Sequence, residues 1–285
     1  MALSRSLSKM TVAITGASGM IGKRLQQRLA AAGHTALTIP RGANPPECDA
    51  LVNLAGEPIA QRWTAAAKIR IRESRVEGTR RLVNSVAAES RRPRVLVCAS
   101  AVGIYGSRGD EILTEKSSAG SGFLPNVVKE WEEAARLAEP LGMRVASLRF
   151  GVVLGHGGAL GQLLLPFRLG AGGRLSSGRQ WMSWIHVDDA VSLILFALDN
   201  SELRGAVNAT APDPVTNDEF TRRLARAVHR PAIFPVPAFA LKLVFGEMSE
   251  VLLDSQRVLP AAAQAAGFTF LYPELSAALT HILAA

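Results

Sequence analysis

Several marker residues are scarce in this chain of 285 residues. It holds only two cysteines, Cys48 and Cys98, which form no CxxC pair. No disulfide framework is expected, and a reducing, cytoplasmic compartment is the natural setting. No apolar run approaches the ~18 residues of a membrane-crossing helix, so no membrane partner is expected. Only two tyrosines occur, Tyr105 and Tyr272, and no Asp or Glu precedes Glu47. The net charge is +8, and residues 62–94 hold ten Lys/Arg against three Glu. These cations are scattered over a helix, without aromatic interleaving or a DNA-binding motif, so no nucleic-acid partner is expected. They read as a solvated face that attracts an anionic cofactor or substrate.

At 48% hydrophobic and 20% charged, the chain can bury one large domain, or a domain plus a lobe. Residues 1–9 are basic and Ser-rich but lack an apolar signal core, and read as a disordered tail. The run Thr15-Gly16-Ala17-Ser18-Gly19-Met20-Ile21-Gly22 is the strongest positive signal. The apolar, β-branched strand TVAIT precedes it. Ile21, Leu25 and Leu29 follow at helical spacing, and Gly33 can stop that helix. A glycine turn between strand and helix brings backbone N–H groups and the positive end of the helix dipole to a pyrophosphate. This predicts a dinucleotide site. The second strand, TALTI, ends at Pro40-Arg41 rather than at an acid for a ribose 2′-hydroxyl. Arg41 suits a 2′-phosphate instead, which points to NADP(H).

Further strands are expected at 50–54, 94–99 and 144–149, and helices at 65–90, 127–139 and 190–198. The alternation predicts a Rossmann-type α/β fold with a doubly wound parallel sheet. From Gly155 the chain becomes glycine-rich, then proline-rich. Gly157-Gly158 and Gly172-Gly173 read as hinges of a lid.

Several blocks occur in order: the glycine motif, Asn53-Leu54-Ala55-Gly56, SAVGIYG at 100–106, LRFGVVLG at 148–155 and WIHVDD at 184–189. Together they resemble the extended short-chain dehydrogenase/reductase superfamily. NLAGEPI at 53–59, LPFRLGAGG at 165–173, Trp184–His186 and Gly267-Phe268 are similar to its epimerase-family branch. The resemblance covers residues 10–285. It implies an NADP(H)-binding domain at 10–155 and a smaller C-terminal α+β substrate lobe at 156–285, with 179–200 returning to the first domain. It also implies that Gly16, Ser18, Gly19, Met20 and Ile21 wrap the pyrophosphate and that Leu54, Ala55 and Gly56 line the adenosine side. Ala99 and Ser100 would pass beneath the nicotinamide, Lys129 would bind its ribose and Val153 would lie beside its carboxamide. Arg75 stands where relatives often have Asn, and an arginine there can bind the pyrophosphate.

The superfamily uses a Ser/Thr, a Tyr and a Lys, the Lys lowering the Tyr pKa for proton transfer. Here the Ser/Thr position is Ala101, and four residues before Lys129 stands Pro125, flanked by Leu124 and Asn126. Tyr105, Ser100, His186 or a substrate group is left to move the proton. Candidate catalytic residues are therefore Tyr105, Lys129 and Ser100. The expected activity is hydride transfer on a small-molecule substrate. The alternative is a catalytically weakened NADP(H)-binding regulator. His186, Asp188 and Asp189 read as helix capping by an Asp, not as a metal site. Trp131 reads as core and Gln180 as a substrate contact. Relatives pair through helices matching 65–90 and 127–139, so a monomer or homodimer is expected.

Overall fold

The computed structural model describes residues 9–284; the expected tail, Lys9 apart, lies outside the described residues. The chain runs β1 (Thr11–Thr15), α1 (Met20–Ala31), β2 (Thr35–Ile39), β3 (Ala50–Asn53), α2 (Ala65–Ala87), β4 (Val95–Ala101), a 3-10 turn (Val102–Tyr105), β5 (Ile112–Leu113) and α3 (Phe123–Arg136). It continues through β6 (Arg144–Phe150), β7 (Val152–Leu154), α4 (Gly158–Arg168), β8 (Trp181–Met182), β9 (Trp184–His186), α5 (Val187–Asp199) and β10 (Gly205–Ala209). β11 (Val215–Thr216), α6 (Asn217–Ala227), α7 (Ala238–Phe245), α8 (Ser249–Leu253), β12 (Arg257–Val258), α9 (Ala261–Ala265) and α10 (Leu275–Ala284) complete it.

Six strands form one sheet in the order β2-β1-β3-β4-β6-β10, every neighbouring pair parallel. Side chains alternate across it with period two. Val12 and Ile14 join α1 and α5 on one face, through Leu25, Leu29, Val191 and Ile194. Ala13 and Leu51 join α2 and α3 on the other, through Val76, Val83, Trp131 and Ala135. Trp131 is core, as expected. The helix after the glycine turn ends as its sequence predicts. Gly33 takes φ +78°, its N–H donates to the Ala30 carbonyl, and the His34 N–H donates to that of Leu29.

The sheet differs from the sequence reading at its far edge. The chain returns past residue 200, because Val207 and Ala209 of β10 complete the apolar face under α5. A separate core of Leu154, Leu160, Phe167, Trp184, Phe220, Leu224 and Leu279 fills the lobe. Close packing, not hinge motion, accounts for Gly172 and Gly173. A Cβ on Gly172 would stand 2.6 Å from the Phe167 ring, and one on Gly173 would strike the Phe234 backbone. No helix among the described residues is long and apolar enough to cross a membrane.

Candidate functional site

The strand order reverses between β1 and β3, the switch point at whose carboxyl-end crevice sheets of this kind bind ligands. Gly16 floors it. A Cβ on Gly16 would stand 2.6 Å from the Leu54 carbonyl, and its φ of +68° is one that side chains rarely adopt. Thr15 ties the two strands, donating to Asn53 Oδ1 at 2.6 Å and accepting from the Ala55 N–H at 3.3 Å. Asn53 donates to Thr79, which also accepts from Trp131. The crevice is thus braced from β1 through α2 to α3.

Gly19 caps α1 with no side-chain hydrogen bond, and the first turn holds no acid. The first amides of the helix are therefore left to an anion. Ser18 and Gly19 are exposed, and Met20 and Ile21 are half-buried. Leu54 and Ala55, just past β3, with Ala99 in β4 and Val153 in β7, make a half-buried fringe, and Gly56 beyond is exposed. Arg75 reaches that fringe from α2. Its guanidinium would meet a Cβ on Gly56 at 3.1 Å, donates to the Glu57 and Ile71 carbonyls and lies 5.3 Å from the Trp131 ring. Burial pulls its pKa down to about 10. Arg41 is exposed just beyond β2, with no partner among the described residues.

The expected acid/base groups do not meet in the crevice. Tyr105 is fully buried, and its hydroxyl donates to Asn208 Oδ1 at 2.7 Å and accepts from Arg149 Nη1 at 2.9 Å. Burial raises its pKa, against the pull of Arg149. Arg149 also grips Glu132 with Nε at 2.7 Å and Nη2 at 2.8 Å, and Ser100 donates to Glu132 at 2.6 Å. Asn208 N–H and Ala262 N–H both donate to Glu115. The Ser100 and Tyr105 hydroxyls therefore belong to one internal network, and Tyr105 also borders the cavity between sheet domain and lobe. Lys129 lies on the exposed face of α3, with no hydrogen bond or ion pair among the described residues. The inward stripe of α3 carries Pro125, Val128 and Trp131 instead. Glu132 and Arg149 were not legible as partners in the sequence, being seventeen residues apart on a helix and a strand. Gln180 is buried and donates to the Leu175 and Leu252 carbonyls, so it braces the lobe.

His186, not an Asp, caps α5. Its Nδ1 accepts from the Asp188 N–H at 3.0 Å, which leaves the ring proton on Nε2, 3.1 Å from His281 Nδ1. Asp188 instead pairs with Arg24 of α1 at 2.5 Å, and Asp189 accepts from the Leu271 and Tyr272 N–H groups. His186, Asp188 and His281 offer donor atoms within 4.8 Å of one another. Hydrogen bonds to the backbone, Arg24 and each other account for that cluster. Burial pushes His186 from 6.5 down to about 4. As pH falls through that window the unfolded chain takes up a proton that the folded chain refuses, so stability falls by ~1.4 kcal/mol per pH unit. His186→Asn keeps a cap acceptor and removes the titration. Urea midpoints at several pH values are expected to show a shallower acid slope in this variant, whatever its baseline stability.

Beside the crevice, where the chain leaves β4, a cavity of about 370 Å³ separates the sheet domain from the lobe. Gly106, Arg108, Phe123 and Leu124 line it on one side, Trp63 on another, and Glu250, Val251 and Asp254 of the lobe on the third.

The doubly wound parallel sheet with a glycine turn at its switch point defines a Rossmann-type α/β protein. The chain belongs to the NAD dependent epimerase/dehydratase family, whose profile matches residues 44–209; a domain of unknown function (DUF1731) matches 236–282. It is 42% identical to the chloroplastic epimerase family protein SDR39U1 homolog of Arabidopsis thaliana, over 98% of this chain and 88% of that one. It is 38% identical to the epimerase family protein YfhF of Bacillus subtilis, covering 96% and 98%. The crystal structure of human epimerase family protein SDR39U1 with NADPH superposes with a TM-score of 0.91 at 37% identity, covering 96% and 99%. The epimerase-family resemblance of the sequence is thereby borne out.

Proposed function

We propose that the protein binds NADP(H) in the β1/β3 crevice and is an oxidoreductase acting on a small molecule. The observation that carries this reading is the uncapped, acid-free N-terminus of α1 behind Gly16 and Gly19, with Arg41 standing without a partner beyond β2. The amides of Ser18, Gly19, Met20 and Ile21 hold the pyrophosphate, Arg75 adds charge beside it, and Arg41 takes the 2′-phosphate. Leu54, Ala55 and Gly56 line the adenosine, and Ala99 and Val153 flank the nicotinamide. Bound there, the nicotinamide supplies or accepts a hydride. The NADPH in the human relative's structure supports the choice of cofactor. The two buried, unpaired cysteines suit a reducing, cytoplasmic compartment, with thiols pushed up to about 11 at Cys48 and about 12 at Cys98.

Tyr105 and Ser100 serve the internal network, and Lys129 stays at the surface. The proton then comes from another group in the cleft or from the substrate itself. Titration with NADPH and NADH, followed by nicotinamide fluorescence, tests the reading. NADPH is expected to bind more tightly, and Arg41→Ala is expected to reduce that preference about tenfold or more, the value of a charge-assisted bidentate contact. Equal affinities in the parent protein would remove Arg41 from the argument. Tyr105→Phe is expected to keep NADPH affinity and any turnover while lowering thermal stability.

A second reading has its own support. Ala101 and Pro125 stand where the superfamily carries its hydroxyls, and Lys129, at the position of its amine, is exposed. A catalytically weakened NADP(H)-binding regulator would bind cofactor equally well. Absence of NADPH oxidation across a panel of carbonyl compounds favours it.

A further inference from the structure

The cavity beside the crevice is unbalanced in charge. Glu250 and Asp254 face it from α8 and its C-cap. Neither carboxylate has a hydrogen bond or ion pair among the described residues. Arg108, the other charged lining group, is held by Glu111 through Nε at 2.9 Å and Nη2 at 2.8 Å. Lys68, 5.2 Å from the Phe123 ring, is paired with Glu247. One side of the wall is apolar and aromatic, and Ser107, Ser121 and glycine backbone line the rest. Trp63 and Phe123 meet edge-on at 5.1 Å, and Leu124 and Val251 flank them. Burial and the neighbouring Glu250 push Asp254 up to about 6, as expected of a carboxyl that lacks a cation.

A cation satisfies the two carboxylates, and the aromatic side of the cavity, Trp63 and Phe123, favours an organic cation over a hydrated metal ion. An anionic ligand gains nothing from Arg108, whose guanidinium is already matched, and is repelled by Glu250 and Asp254.

We propose that this cavity is a subsite for a small organic cation, and that the substrate carries an ammonium group held between Glu250 and Asp254 with its apolar body against Trp63, Phe123 and Leu124. The assignment to a substrate rests on the oxidoreductase reading above; the cation subsite itself does not. Asp254 is the specificity residue, and Glu250, more exposed, adds less.

The test titrates the full chain by calorimetry with benzyltrimethylammonium and with benzoate, two phenyl probes of opposite charge, with and without saturating NADPH. The cation is expected to bind about tenfold more tightly at pH near 7.5, from one desolvated ion pair plus cation–π contact. The preference is expected to shrink severalfold near pH 5, as Asp254 takes a proton; Glu250 and Arg108 are the other charged groups facing it. Asp254→Asn is expected to remove most of it with unchanged Tm and NADPH affinity. Benzoate binding as tightly as the cation, an undiminished preference in Asp254→Asn, or binding of neither probe at millimolar concentration would overturn the subsite. Cation preference without NADPH binding would keep the subsite and remove the oxidoreductase. NADPH binding without cation preference would do the reverse.

Discussion

Gly22→Val will unfold or severely destabilise the protein, whereas Gly19→Val will leave it folded and unable to hold NADPH. The two glycines are three residues apart in one motif, yet different neighbours demand them. A Cβ on Gly22 would stand 2.4 Å from the Gly16 carbonyl oxygen and 2.7 Å from the Ala17 Cα, both backbone atoms. Helix α1 cannot move away, because Leu25 and Leu29 lock it on the sheet. The cost is expected to exceed about 4 kcal/mol, the range reached only by severe steric or polar defects. At this chain length that lowers Tm by about 10 °C or more. Gly19 is exposed, has ordinary φ and ψ of −73° and 170°, and would place a Cβ no nearer than 3.3 Å from its closest neighbour. Valine there costs about 1 kcal/mol at a helix N-cap. The space it fills is that of the proposed pyrophosphate, so NADPH affinity is expected to drop about a hundredfold or more. Thermal denaturation and nicotinamide fluorescence measure the two effects separately. Unchanged NADPH affinity in Gly19→Val would take the cofactor away from this turn.

The second large effect is expected at Arg149. This guanidinium and Glu132 keep only 9% and 12% of their side-chain surface. Burial pulls the Arg149 pKa down, but the hydrogen bonds and charge of Glu132 outweigh it, and the net shift is upward. Arg149→Met strands a carboxylate between Ser100 and the sheet and leaves the Tyr105 hydroxyl without its donor. Removing one partner of a buried pair costs about 3–5 kcal/mol. Replacing both, as Glu132→Leu with Arg149→Met, is expected to recover much of that loss, because neither charge is then left unpaired. Urea unfolding of the two single variants and the double variant closes the cycle. Additive losses would mean that Glu132 and Arg149 are not energetically coupled.

These cases show which parts of the molecule were legible in its residues. The strand–glycine turn–helix unit is local. Its strand is apolar and β-branched, its helix repeats every four residues, and its stop is a glycine in left-handed conformation, so neighbours in sequence suffice. The division of labour within the turn was not legible. Gly22 packs against Gly16, and Gly16 against Leu54, and the second contact spans a sheet crossing. The capping of α5 was misread for a related reason. Asp188 and Asp189 look like cap residues in sequence, but Arg24 and the Leu271–Tyr272 backbone claim them, which leaves the role to His186.

The sequence by itself determined the fold class, the alternation of strands and helices and the place of the glycine turn, because each depends on periodicity and turn chemistry within a few residues. It also determined what is missing, since no fold can supply a hydroxyl where Ala101 and Pro125 stand. Only the tertiary structure decided that Tyr105 is sealed inside a network with Arg149, Glu132 and Asn208, that Lys129 faces solvent, and that Asp254 and Glu250 meet Trp63 across a cavity. Those relations join residues far apart in the chain. Burial, which turns a tyrosine into a brace and raises the Asp254 carboxyl, is a property of the packed molecule and not of any segment.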